Sequence, residues 1–170
     1  MRQLLQNDMV KNNWSCRCIR CREIKDVNVN AEDIRLDIQQ YNASNGVEYF
    51  ISFETDKYII GFIRLRLNNL GNGDDNRCEG NTITQLPVLR NAALIRELHV
   101  YSNLSDVGNN ISTSYQHKGY GKKLLETAEN IAKENGFRKM AIISGTGVRN
   151  YYRNLGYQLT ETYMIKDLLM

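Results

Sequence analysis

Gln116, Gly119 and Gly121 form the pattern Q-x-x-G-x-G, with His117 and Lys118 inside it and Lys122 and Lys123 just after it. Glycine costs a helix about 1 kcal/mol against alanine. Yet residues 119–135 carry a helical stripe of Leu124, Leu125, Ala128, Ile131 and Ala132, so two glycines at its start need a reason. Backbone N–H groups at a helix start lack partners and carry partial positive charge. Glycine lets an anion approach that backbone with no side chain in the way, and the lysines add charge. Gln116, His117, Lys118, Gly119, Tyr120, Gly121 and Lys122 are therefore the candidate cradle for a phosphate or pyrophosphate. The plainer reading is an ordinary glycine-containing turn. No G-K-[ST] follows, so the loop is not a P-loop, and the first glycine of a dinucleotide fingerprint is missing.

Cys16, Cys18 and Cys21 form C-x-C-x-x-C, and Cys78 is the one other cysteine. In a cytosolic chain such a cluster reads as metal before disulfide. Zinc takes four tetrahedral ligands, which makes Cys16, Cys18, Cys21 and Cys78 the candidate set; free buried thiols or a degenerate site are the alternative. Around the cluster, residues 11–25 hold Lys11, Arg17, Arg20, Arg22 and Lys25 against Glu23. Such a patch can meet phosphates or simply be solvated. Arg64 and Arg66 fall on one side of the strand GFIRLRL and, with Arg17, Arg20 and Arg22, could face RNA.

The elements that must position these groups follow from hydrophobic period. Ile34, Leu36 and Ile38 alternate, as do Val47, Tyr49, Ile51 and Phe53; residues 58–67 and 93–101 read as further strands. Thr55-Asp56-Lys57 is short enough for a hairpin. Residues 68–81 and 102–115 are polar loops by composition. After the helix at 119–135, stopped by Asn135-Gly136, come a buried strand at 139–143, a short helix at 147–155 and a last strand at 157–165. The order β-β-β-β-α-β-α-β, with an irregular or helical element near 22–32, makes an α+β sheet with helices packed on it. A chain of 170 residues, 42% hydrophobic, suffices for one domain with a full core. No apolar run approaches the roughly 20 residues of a membrane span, and the N-terminus has no signal-peptide core. No membrane role and a cytoplasmic location are the expectation. The net charge of +3 does not by itself argue for nucleic acid.

A strand, a Q-x-x-G-x-G loop, a long helix, a strand and a short Tyr-rich helix together resemble the GNAT acetyltransferases. The blocks CRCIRCREI, GFIRLRL, LIRELHVY, QHKGYG, ISGTGVRNYYRNLGY and YMIKDL, from about Cys16 to Leu168, are similar to the C-terminal acetyltransferase domain of the Elongator catalytic subunit family, which modifies wobble uridine in tRNA. The resemblance implies a GNAT fold, with a mixed central β-sheet flanked by helices. It implies acetyl-CoA as cofactor, with its pyrophosphate on the 116–122 loop and its pantetheine on the backbone of Glu97, Leu98, His99 and Val100. It implies tRNA as a partner, and a zinc knot in an N-terminal segment, 1–25, ahead of an acetyltransferase domain at 26–170.

Roles then follow for single residues. Tyr151 and Tyr152 are about 100° apart on a helix, so one packs and the other faces the cofactor. Tyr152 is the expected cofactor contact and general acid to the departing thiolate, with Asn150 and Arg153 as lesser contacts. Glu97 and His99 share a strand face, and either could be a general base, directly or through water, or be structural. That family carries a radical-SAM domain ahead of this one. Here the cysteines stand almost at the start, so a freestanding half is expected, with a separate radical-SAM protein as a partner. Protein lysine acetylation and a non-catalytic acetyl-CoA or tRNA sensor are the competing readings.

Overall fold

Strand alternation and a tight turn build the first half of the sheet. The computed structural model describes residues 2–24, 27–44, 46–68, 86–101 and 119–168. Its strands are β1 (Arg35–Ala43), β2 (Gly46–Glu54), β3 (Ile59–Asn68), β4 (Ala92–Val100), β5 (Lys139–Ile143), β6 (Gln158–Thr160) and β7 (Tyr163–Asp167). The helices are α1 (Arg2–Lys11), α2 (Ile19–Arg22), α3 (Tyr120–Glu134) and α4 (Arg149–Arg153). One mixed sheet runs in the order β1-β2-β3-β4-β5-β7-β6. β1 to β4 pair antiparallel in sequence, β4 and β5 pair parallel, and β7 lies antiparallel between β5 and β6. The β2–β3 turn is closed by Thr55, whose Oγ1 accepts from the amides of Lys57 and Tyr58. Among the described residues no helix is long and apolar enough to cross a membrane.

The α3 stripe read from the sequence is the core. Leu124, Leu125, Ala128 and Ala132 are buried against Ile51, Ile63, Leu65 and Ile95 of the sheet. Each buried leucine and isoleucine contributes roughly 1.5–3 kcal/mol. Gly136, at φ +83°, takes the left-handed conformation that ends the helix. On the opposite face, Val88 and Leu89 of a 3-10 turn at Pro87–Leu89 cover Leu94 and Ala141. A polar clasp ties α3 to β7. Buried Glu129 accepts from Tyr157 Oη at 2.7 Å and, through both oxygens, from Lys166 Nζ at 3.0 Å.

Two elements differ from expectation. The single strand at 157–165 is a hairpin, β6 and β7, turning at Glu161 and Thr162 with Glu161 at φ +55°. No glycine marks that turn, so alternation runs through it unbroken. Ahead of the cysteines, where the hydrophobic period marks no element, the chain forms the helix α1. The cysteine segment after it is attached to the sheet through its last residues. Glu23 bridges Ile59, the Ile24 amide donates to the Ile59 carbonyl at 3.3 Å, and Arg22 reaches Glu54 at 2.8 Å. Beyond Asn68, the loops read at 68–81 and 102–115 lie outside the described residues.

Candidate active site

The β4–β5 ladder covers only Ala92–Ile95 against Lys139–Ile142. Pairing with β3, by contrast, continues to Val100. After Ile95, then, β4 runs on beside β3 with no ladder on its other side, since β5 ends at Ile143; the gap left along that edge of β4 is the wedge. The end of the ladder coincides with a bulge. Arg64 pairs with Glu97 and Leu65 with Ile95, so Arg96 is the extra residue.

The bulge resets the alternation. Ala93 and Ile95 before it, and Leu98 and Val100 after it, all pack on the α3 side. Glu97 and His99 turn to the other face. There Glu97 lies 3.8 Å from Arg64, and the His99 ring sits 6.1 Å from Phe62 and 4.4 Å from Tyr101, centroid to centroid. Both residues are exposed.

The first turn of α3 stands at the far end of the wedge. Gly119 precedes it at φ +77°, with no atom of the described residues within 4 Å of where a Cβ would project. That turn has no acidic residue and no side-chain cap. A helix start carries partial positive charge, and among the described residues there is open space beside this one, which fits a phosphate. A Cβ on Gly121 would lie 2.9 Å from Tyr151 Oη and 3.5 Å from Val100 Cγ2. Glycine at 121 therefore admits the Tyr151 hydroxyl against the helix start. Tyr120 points inward instead, packed with Ile24 and Ile60 and 4.9 Å from Phe53, and pins the helix start to the sheet. Lys122 lies 3.7 Å from Glu126, and Lys123 stands over the Tyr120 ring. Gln116, His117 and Lys118 lie outside the described residues.

The two tyrosines of α4 part company, as adjacent helical residues must. Tyr151 is 40% exposed and holds its hydroxyl at Gly121. Tyr152 is 6% exposed and sits in the core, its ring 5.2 Å from Tyr151 and 6.0 Å from Tyr157. Burial, with the charge of Glu126, raises Tyr151 above the ordinary phenol value; burial pushes Tyr152 up to about 12. Both therefore hold their protons at neutral pH. Asn150 and Arg153 hydrogen-bond to each other on the exposed side of α4.

Among the arginines expected to face RNA, Arg17 and Arg20 are exposed and Arg64 is half-buried. Arg22 and Arg66 depart from that expectation: both are buried and occupied by carboxylates. Arg22 holds Glu54, and Arg66 holds Glu48 at 3.0 Å. Glu48 also accepts from Arg96 at 2.9 Å and from Tyr41 Oη at 3.0 Å. Burial alone would raise its pKa. The Arg66 and Tyr41 hydrogen bonds and the Arg96 charge outweigh that and hold it below the usual carboxylate value. Sequence reading missed Glu48, Arg96 and Glu129 altogether.

The Sγ atoms of Cys16, Cys18 and Cys21 lie within 4.8 Å of one another, close enough to share an ion about 2.3 Å from each. The Cys16 side chain, with the Cys21 amide, lowers Cys18 to about 7, and the Cys18 and Cys16 side chains push Cys21 up to about 11. Crowding thus favours one thiolate in the cluster, and the donor set suits zinc. Cys78 lies outside the described residues.

Comparison with known proteins agrees with this geometry. The family model for the acetyltransferase (GNAT) family matches residues 13–157. The chain is 39% identical to the tRNA uridine(34) acetyltransferase of Methanocaldococcus jannaschii, over 98% of this chain and 30% of that one. It is 38% identical to Elongator complex protein 3 of Schizosaccharomyces pombe, over 99% of this chain and 30% of that one. The archaeal Methanocaldococcus infernus Elp3 with an N-terminus deletion superposes with a TM-score of 0.76 at 38% identity, over 97% of this chain and 38% of that one. The chain thus spans under a third of the length of these curated relatives.

Proposed function

The chain belongs to the GNAT family of acetyltransferases, and from that premise we propose that it consumes acetyl-CoA in a tRNA-linked reaction of the Elongator type. The wedge between β4 and β5 carries the reading. It sets the backbone of Glu97–Val100 along one wall, the first turn of α3 at its end and a protonated tyrosine hydroxyl beside it. In this reading the pantetheine pairs with β4, and the pyrophosphate meets the amides after Gly119, with Gln116, His117, Lys118 and Lys122 around it. Tyr151 gives its proton to the departing thiolate as the carbon–sulfur bond breaks. Glu97 and His99 serve the acceptor on the other face. With water as acceptor, its oxygen bonds the carbonyl carbon and acetate leaves; of the two protons water gives up, one restores Tyr151 and the other passes to solvent. Tyr152 supports Tyr151 from the core.

tRNA and a radical-SAM unit, as a preceding domain or a separate protein, are the proposed partners, in the cytoplasm. Arg17, Arg20 and Arg64 are the residues proposed to meet RNA phosphates. The test is CoA release from acetyl-CoA with and without tRNA. Turnover that rises with tRNA is the expected result. Turnover indifferent to tRNA would move the acceptor to a lysine or small amine. Acetyl-CoA binding with no turnover in either condition would leave a sensor.

Residues 1–25 are proposed as a metal-stapled segment on the 26–170 domain, with Cys16, Cys18, Cys21 and Cys78 as ligands. Zinc supplies a cross-link there rather than chemistry, and gains in folding free energy what it gains in binding. About one zinc per chain is expected, with stoichiometry and melting temperature both falling in Cys18→Ser. Metal analysis finding none in protein prepared without chelator would end the assignment.

A further inference from the structure

We propose that Glu48 is a positioning residue for the wedge: through Arg96 it holds the β4 bulge, and hence sets which face each later residue of β4 occupies. The inference rests on the acetyl-CoA reading of that wedge. A bulge inserts one residue and changes which face every later side chain occupies. Lost, it would let the alternation of Ala93 and Ile95 run on, turning Glu97 and His99 toward α3 and Leu98 and Val100 outward. Arg96, the inserted residue, is anchored across two strands. Its guanidinium reaches Glu48 on β2 at 2.9 Å, on the oxygen that also accepts from Arg66 on β3 at 3.0 Å.

That carboxylate is itself immobile. Glu48 is 6% exposed, and its second oxygen takes the Tyr41 hydroxyl of β1. Arg66 is locked in turn by Asn68 Oδ1 at 2.8 Å and the Ser44 carbonyl at 2.7 Å. Four strands thus converge on one carboxylate, and of its two arginine partners Arg96, at 46% side-chain exposure against 9% for Arg66, is the one half in water. Without the carboxylate, two guanidinium groups face each other, and Arg96 is the one free to swing into water. The inserted residue then loses its side-chain tie to the neighbouring strands.

The experiment compares Glu48→Gln, Arg96→Met and the double variant in the full chain, with Glu54→Gln as control. Glu54 holds another buried arginine on the same face, at the cysteine segment. Acetyl-CoA affinity, melting temperature and amide exchange at Glu97–His99 are read for each. The expected result is a rise in Kd of about tenfold in both single variants, within the range for coupled neighbours. The double variant is no worse than either, exchange at Glu97–His99 quickens, and Glu54→Gln changes melting alone. Arg96→Met keeps the test informative if Glu48→Gln folds poorly. A lowered melting temperature with unchanged Kd and unchanged exchange would overturn the proposal. If the unmodified chain binds no acetyl-CoA, the acetyl-CoA reading fails by itself, and the exchange rates alone decide for or against the clamp.

Discussion

Tyr151→Phe is expected to lower kcat for acetyl-CoA consumption by about a hundredfold or more, the scale of a lost general acid, with KM for acetyl-CoA little changed. The substitution removes one oxygen from a 40% exposed ring whose hydroxyl lies at Gly121, so the fold has little to lose. Burial and Glu126 hold this phenol protonated beyond its ordinary value of 10. The same donor thus remains charged with its proton across the neutral range, and turnover should show no alkaline fall from Tyr151 below about pH 10. Tyr152→Phe is the matched comparison. That ring is in the core, and its loss of a hydroxyl should move melting more than kcat. Steady-state kinetics on the two variants separate the roles. A larger kcat loss in Tyr152→Phe would return the proton-donating role to that residue.

Glu129→Ala is expected to destabilise the fold by about 3 kcal/mol, the scale of breaking a buried ion pair. At roughly 2–4 °C per kcal/mol for a chain of this size, melting should fall by several degrees. Tyr157, 1% exposed, would keep its hydroxyl with its acceptor gone. Lys166, at 30% side-chain exposure, can turn to water and recover part of the loss. The exposed pair Lys122–Glu126 on the same helix is the yardstick. Glu126→Ala should stay within about 0.5 kcal/mol. Thermal melts showing the two variants alike would mean that the clasp contributes no more than a solvated pair.

The helix at Tyr120–Glu134 was legible because its stripe and both of its glycine boundaries agree. β2 and β3 were legible because alternation and the short turn at 55–57 agree. The β6–β7 turn was not, because Glu161 takes a left-handed conformation with nothing in its residue type to announce it. At the site, the tract around Gly119 and Gly121 was readable from composition. The choice between Tyr151 and Tyr152 was not, since a 100° step says that they differ without saying which is inside. Arg66 read as an RNA contact because an arginine in an alternating strand looks solvated. Its partner stands directly opposite, but an irregularity between Phe53 and Glu54 shifts the β2–β3 register, so counting from the 55–57 turn puts Leu65 and not Arg66 across from Glu48. Arg96 is hidden in the same way, because a bulge shifts the count.

The wedge has a mechanical side. The strands β1 to β4 and the strands β5 to β7 are joined in the sheet by one short seam, Ala92–Ile95 against Lys139–Ile142. Beyond it the sheet is two leaves bound along part of one margin, with α3 as the board behind them. A molecule lying in the gap and bonding to both leaves lengthens the binding. Occupancy and rigidity then rise together, and the leaves are loosest when the gap is empty, which is when a new molecule has to enter.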